Sequence, residues 1–421
     1  MNSCHTLIIG AGISGLSYAA FSNRDDYLII EAESEVGGYC RTVIQDGFVW
    51  DYSGHFFHFR HPEIERYLVD RMPADQVKTI AKRSDILFKG ERIDFPFQKN
   101  IHQLPKEDFI DCLYDLYFRE DLGSANFRDM LYSKFGAGIC ERFLIPYNEK
   151  LYACDLSDLD ADAMGRFFPY ADVDDIIRNF RKADNASYNA TFTYPEGGAI
   201  EYVKALQSGV NNANLRLNTR VQRIDLDAKV AHTTDGPIQY QELVSSAPFD
   251  RLMSMTGTEV PAGLLSSNKV LVFNLGFDRK GWEDVHWVYF PERKYRFYRV
   301  GFYDNIFGTD RMSIYVEIGM KTGDAVDVDL ELSKVLQGLE AAGVTSGHQL
   351  VSKHHVVLDP AYVHITTASQ AFVAEQFGRL AQAGVHSIGR YGGWKYCAIE
   401  DNIVEARELL TKLQGDLKPL A

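Results

Sequence analysis

The chain of 421 residues is longer than one hydrophobic core supports, since cores stop growing near ~250–300 residues and longer chains divide into domains. Its 46% hydrophobic and 24% charged residues are ordinary globular values and exclude a fibrous or disordered chain. With 44 Lys and Arg against 58 Asp and Glu the net charge is −14, which argues against a nucleic-acid or anionic-membrane binder and leaves any anionic ligand to local arginines.

In chain order, the apolar run Leu7-Ile8-Ile9 predicts a strand that enters Gly10-Ala11-Gly12-Ile13-Ser14-Gly15 and a helix from Gly15 to Phe21. Tyr27-Leu28-Ile29-Ile30 predicts the next strand, which Glu31 ends. This order reads as the ADP half of a dinucleotide site. Gly10 serves the tight turn, Gly12 lets backbone approach a pyrophosphate, Gly15 lets helix and strand pack closely, and Glu31, roughly 20 residues on, accepts the ribose hydroxyls. A purely structural βαβ turn is the competing reading. Gly37-Gly38 and Arg41-Thr42 follow, and there the glycines free backbone N–H groups for a pyrophosphate while the arginine adds a cation. Beyond the glycine-containing bend Ser53-Gly54-His55-Phe56-Phe57-His58, short strands around 86–88 and 92–95 precede a helical stretch from about Lys106 to Phe180. A helix from about Glu201 to Val210 leads to alternating strands at 215–217 and 221–224 and to a strand through Leu243-Val244-Ser245. From Val270 to Ile318 the alternation of Leu271, Phe273 and Leu275, then Trp287 and Tyr289, predicts an antiparallel sheet. The final helix is expected from Asn402 to Leu413, with Asp401 as its N-cap. Cysteines 4, 40, 112, 140, 154 and 397 lack paired short spacings, so neither a disulfide framework nor a metal site is expected. No apolar run reaches a membrane span and the first strand follows directly on the N-terminus, which predicts a soluble, cytoplasmic protein with no membrane insertion.

The Gly-Gly and Arg-Thr pairs placed straight after the ribose acid resemble the FAD proteins of the amine oxidase and UDP-galactopyranose mutase group. Further segments narrow this: Phe95-Pro96-Phe97-Gln98-Lys99-Asn100-Ile101, Phe143-Leu144-Ile145-Pro146-Tyr147-Asn148-Glu149-Lys150, Asn189-Ala190-Thr191-Phe192, Trp287-Val288-Tyr289-Phe290-Pro291-Glu292, Phe297-Tyr298-Arg299 and Gly389-Arg390-Tyr391-Gly392-Gly393-Trp394-Lys395-Tyr396. In this order and spacing they resemble the UDP-galactopyranose mutase family over nearly the whole chain, closer to its eukaryotic-type sequences. The resemblance implies an α/β fold: a discontinuous Rossmann-like FAD-binding domain (1–80, 185–255 and 380–421), an inserted helical domain for the uridine (96–184) and an antiparallel β-sheet domain (81–95 and 256–379).

It also implies a chemistry. Mutases of this kind interconvert the pyranose and furanose forms of a nucleotide sugar, such as UDP-galactopyranose and UDP-galactofuranose for cell-surface polysaccharide, through a glycosyl adduct on N5 of reduced FAD, with NAD(P)H as the expected reductant. The cofactor residues implied are Gly10, Gly12, Ser14, Gly15, Glu31, Gly37, Gly38, Arg41, Val221, Arg390, Asp401 and Asn402. Arg299 and Arg390 match the arginines that clamp the diphosphate, and His55 lies in the flavin-facing loop, so these three are the implied catalytic residues. Tyr289, Tyr362 and Tyr396 match the tyrosines on the same diphosphate. Phe95, Gln98 and Phe143 match the uracil pocket, Phe95 standing where a tyrosine is usual. Asn148, Asn189 and Arg166 match sugar-facing positions. Two departures fall at substrate positions: Tyr152 replaces a usual tryptophan, and Glu400 stands where an asparagine approaches the diphosphate or sugar, a carboxylate being unfavourable there unless it points away. The partner expected is therefore a UDP-sugar, with galactose not assured and a homo-oligomer allowed. Independently of the family, Arg299 and Arg390 lie among apolar, aromatic and glycine residues and require either a ligand or a buried ion pair. A redox enzyme of the amine oxidase or protoporphyrinogen oxidase type, and a nucleotide-binding module without chemistry, are the other readings. Neither needs a diphosphate clamp.

Overall fold

A computed structural model describes residues 2–185, 190–415, 417 and 418. A five-stranded parallel sheet carries the N-terminal region, in the order Leu215–Arg216, Tyr27–Ile30, Thr6–Ile9, Glu242–Ser245 and Val385–Ser387. Thr6–Ile9 and Tyr27–Ile30 are buried throughout, which is why their sequence is a continuous apolar run instead of an alternation. The helix Ile13–Phe21 is buried at all nine positions and packs against Ile200–Gln207 and the last helix, Ile399–Gln414. Its start lies close over the preceding turn because residue 15 is glycine: a Cβ there would collide with the carbonyl oxygen of Gly10. Gly10 itself has φ +96°, a backbone conformation that L side chains rarely adopt. Beside this sheet stands a small one formed by Asn2–Ser3, Gly236–Gln239, Val230–Thr233 and Val221–Asp225.

The second large sheet has seven strands, ordered Leu350–Leu358, Asn268–Phe277, Ser313–Lys321, Arg299–Phe302, Trp287–Tyr289, Ser84–Phe88 and Glu91–Asp94. Its pairings are antiparallel except one. Trp287–Tyr289 runs parallel to Ser84–Phe88, because the latter arrives from an early segment through a long crossover and not through a hairpin. The helices Lys106–Tyr117, Phe127–Ile139, Ile145–Tyr152 and Val173–Asn179 form the third body of structure, with a π-helical turn at Cys140–Leu144 that carries Phe143.

The last helix begins at Ile399, three residues before the expected start at Asn402. Asp401 lies inside its first turn, and Asp401 Oδ2 accepts the N–H of Ala398 at 2.7 Å, so it caps from the third helical position. The hairpin Thr42–Gln45/Phe48–Asp51 is fastened to the seven-stranded sheet, where Trp50 Nε1 donates to Ser313 Oγ at 2.9 Å and Asn274 Nδ2 donates to the Asp51 carbonyl at 2.9 Å, and to the start of the helix Ile200–Gln207, where the Ala199 N–H donates to Asp51 at 2.9 Å. Among the described residues no helix is long and apolar enough to cross a membrane, and no group of acids, histidines and cysteines is placed to hold a metal.

Candidate active site

A cavity of about 960 Å³ runs between the parallel sheet, the seven-stranded sheet and the helices. One end is the glycine turn. Gly10, Gly12 and Ser14 face Gly37, Gly38 and Arg41 there, with Glu31 and Val221 further along the wall and Asn402 at the start of the last helix. Gly12 and the Gly37-Gly38 backbone lie in contact, a Cβ on Gly12 falling 3.9 Å from each, and the Gly37 N–H donates to the Ala11 carbonyl at 2.8 Å, so two stretches of bare backbone together line a slot at this end of the cavity. Glu31 is tied into that turn: Oε2 accepts the Ala11 N–H at 2.8 Å and Oε1 the Glu33 N–H at 3.0 Å, and each oxygen keeps a lone pair for a hydroxyl. Asn402 Oδ1 accepts from Ser14 Oγ at 3.3 Å and from the Arg390 N–H at 2.8 Å, locking the first and last helices around the slot. The slot and the long cavity beyond it fit a dinucleotide with its pyrophosphate at the helix N-terminus.

The far end holds the two arginines, and they differ. Arg299 opens the strand Arg299–Phe302, directly opposite Glu317 in the pairing register. Its Nε and Nη2 donate to the two oxygens of Glu317, the latter at 2.8 Å, so this arginine has the buried ion pair that its surroundings required. Arg390 has no carboxylate partner among the described residues. Its guanidinium lies 4.5 Å from the Tyr396 ring centroid and 5.2 Å from that of Tyr362, and one nitrogen donates to the Cys397 carbonyl at 3.2 Å. Tyr362 and Tyr396 stack on each other at 5.9 Å, and Tyr289 accepts the Trp287 indole N–H at 2.9 Å while lining the same wall. Burial raises the Tyr289 and Tyr362 phenol pKa values, keeping both hydroxyls protonated as donors. His55 also lines the cavity; burial, then the charges of Arg390 and Arg299, push its imidazolium down to about 3, so the ring is neutral at physiological pH. His55 Nδ1, Asn148 Oδ1 and Tyr298 Oη, on residues that line this cavity, are buried without a hydrogen-bond partner among the described residues.

Phe95 lines the cavity against Tyr289, at 5.0 Å. Phe143 lines the cavity too, with Phe97 and Tyr147 near-parallel to it at 5.1 and 5.2 Å between ring centroids. Six other expected contacts lie off the cavity for visible reasons. Gly15 serves helix packing instead. Gln98 is fully buried and donates its amide to the Pro169 carbonyl. Tyr152 is wedged behind Tyr362, their ring centroids 5.8 Å apart. Arg166 is drawn to Asp401, which it meets at 2.5 Å, and Asp401 also pairs with Arg60 at 2.7 Å, so neither is aimed at a ligand. The sixth, Glu400, points away, accepting the backbone N–H groups of Arg60 at 3.0 Å and His61 at 3.0 Å. Asn189 lies outside the described residues. Residues that the sequence reading passed over are Ser53, Tyr147, Tyr298, Tyr315 and Glu317, all on the cavity wall. The signal was the stripe Ser313, Tyr315, Glu317, Gly319, which alternates with Ile314, Val316, Ile318 and Met320: a polar face on an otherwise apolar strand.

Residues 13–313 match the family of flavin containing amine oxidoreductases. The chain belongs to that family. Its flavoprotein fold is that of a reduced UDP-galactopyranose mutase, with TM-score 0.90 and 23% identity over 99% of this chain and 94% of the other. A protoporphyrinogen oxidase structure from Exiguobacterium sp. 255-15 is similar at TM-score 0.75 and 16% identity, over 98% and 99% of the two chains. In sequence, 65 residues are 35% identical to protoporphyrinogen oxidase 2, chloroplastic/mitochondrial, of Arabidopsis thaliana, spanning 15% of this chain and only 13% of that relative. The end of the cavity lined by Gly10, Gly12, Gly37 and Gly38 is where this flavoenzyme would hold FAD.

Proposed function

We propose that this flavoenzyme is a mutase that interconverts the ring forms of a UDP-sugar. The observation that carries the reading is Arg390, a guanidinium enclosed by tyrosine rings, lacking a carboxylate partner among the described residues and facing a cavity whose other wall presents Arg299. An uncompensated cation in such a place calls for an anion, and a diphosphate supplies one with the right reach.

In this reading residues 1–80, 185–255 and 380–421 hold the cofactor, and the rest shape the substrate side. FAD held there and kept reduced by NAD(P)H or a similar donor would supply a nucleophile for the anomeric carbon. Arg390 and the free edge of Arg299 take the negative charge that grows on the departing UDP, and Tyr289, Tyr362 and Tyr396 donate hydroxyls to the same oxygens. Neutral His55 sits beside both cations without adding a third charge, and the aromatic wall keeps water from the reacting centre. Glu400 no longer argues against galactose, since its carboxylate is spent on backbone amides away from the cavity.

An amine or porphyrinogen oxidase is favoured by the family as a whole and by the protoporphyrinogen oxidase likenesses. An amine carries the wrong charge for two arginines, whereas the two propionates of protoporphyrinogen could meet them, so the porphyrinogen reading is separated from the mutase by its products. The test is a panel of UDP- and dTDP-sugars, with amines and protoporphyrinogen alongside, given to dithionite-reduced and air-oxidised protein and resolved by chromatography. Furanose products from a UDP-sugar with reduced protein support the mutase; peroxide formation with an amine or porphyrinogen, and no sugar conversion, overturns it.

A further inference from the structure

Glu317 does more than neutralise Arg299. Its carboxylate is 1% exposed and also accepts the hydroxyl of Ser53, two residues before His55. The segment Ser53-Gly54-His55 is gripped at two more points by the same sheet. The Tyr303 hydroxyl donates to the Ser53 carbonyl at 3.2 Å. The Tyr315 hydroxyl lies 2.4 Å from where a Cβ on Gly54 would be, too close for any side chain, so glycine lets the segment pass. Tyr315 and Glu317 are alternate residues of one strand and so share a face; Arg299 is the cross-strand partner of Glu317. The bend that carries His55 is thus fastened to the strand that holds the clamp arginine.

We propose that Glu317 is a positioning residue that couples the Ser53–His55 bend to Arg299, so that an anion taken up by Arg299 is felt at the wall occupied by His55. Two consequences follow from its bonds. With Nε and Nη2 engaged by Glu317, Arg299 turns one edge, through Nη1, to a ligand. Pulling Arg299 toward a diphosphate draws on the carboxylate that also holds Ser53, and the bend answers through this buried network. This inference rests on the UDP-sugar reading of the same cavity.

The test uses the flavin-loaded protein, with UDP as probe and two readouts: calorimetric affinity, and the change that UDP produces in the visible spectrum of the flavin. In the unaltered protein UDP is expected to bind and to perturb the spectrum. Ser53→Ala cuts the arm to the bend but leaves the Arg299–Glu317 pair, so UDP should bind within roughly threefold of its original affinity while the spectral change disappears. Tyr303→Phe, a milder variant that removes only the carbonyl contact, should reduce the change in part. Glu317→Gln should weaken UDP by roughly tenfold and abolish the change, since it loses the ion pair as well as the charge-assisted bond to Ser53. A full spectral change in Ser53→Ala with UDP bound overturns the coupling and leaves the functional reading standing, as does UDP binding to the unaltered protein with no spectral effect. Failure of the unaltered protein to bind UDP at all overturns both.

Discussion

Arg299 and Arg390 look alike in sequence, yet what remains when each is removed differs. Arg299→Ala strands the Glu317 carboxylate in the interior, and a buried charge robbed of its partner costs ~3–5 kcal/mol. The urea midpoint of this variant should therefore fall along with its turnover, and an unchanged midpoint would show that Glu317 is not held as described. Arg390→Ala strands no acid among the described residues. It should keep its unfolding midpoint and its flavin while UDP affinity, read by calorimetry, drops by ~10- to 100-fold, the scale of a lost charge-assisted contact. Arg390 is thus the cleaner probe of the anion site. At Glu400 the expectation reverses. Its three accepted backbone N–H bonds make it a structural acid, so Glu400→Ala should lower stability by ~1–3 kcal/mol without altering which sugars are processed. A changed sugar preference in that variant would return Glu400 to the substrate.

The elements explain which residues were legible. The turn at Gly10–Gly15 announced itself because an apolar strand, a glycine spacing and a terminal acid occur in one short stretch, where every constraint is local. Gly15→Ala should yield protein purified without yellow colour, since the helix must move off Gly10 and with it the slot; retained flavin would show the contact to be dispensable. Misreadings came where a long-range partner decides the direction of a side chain. Arg166 and Asp401 find each other across 235 residues, Glu400 is claimed by Arg60 and His61, and Glu317 meets Arg299 only through strand register. The hairpin Thr42–Gln45/Phe48–Asp51 offers a pH test. Asp51, at its end, is fully buried and accepts from Thr42 at 2.6 Å, Tyr194 at 2.8 Å and the Ala199 N–H at 2.9 Å, yet burial outweighs these bonds and raises its pKa to about 6. A carboxyl raised in the folded state favours the protonated form, so its contribution is full below the unfolded pKa of 3.8 and is lost as pH rises through about 6. Asp304, also raised by burial to about 6, adds the same sign. Urea midpoints taken between pH 4 and 7 should fall less steeply in Asp51→Asn than in the unaltered protein, and an unchanged slope would contradict the assignment.

For the whole molecule, the fold was readable from dispersed motifs because a flavoprotein of this architecture uses segments from both ends of the chain to close one cavity. One parallel junction in the seven-stranded sheet was not, since Ser84–Phe88 and Trp287–Tyr289 give no local sign of their relative direction. The family alone suggests electron transfer. The arrangement of Arg299, Arg390 and three tyrosines suggests instead that charge is held on a leaving diphosphate while the cofactor ends as it began. That balance is measurable. Under argon, the protein reduced with one equivalent of dithionite per flavin would be given a large excess of UDP-galactopyranose, with product and flavin spectrum followed together. The account predicts many turnovers to the furanose form with the flavin still reduced at the end. Conversion that stops at one equivalent as the flavin oxidises, or no conversion at all, would contradict it.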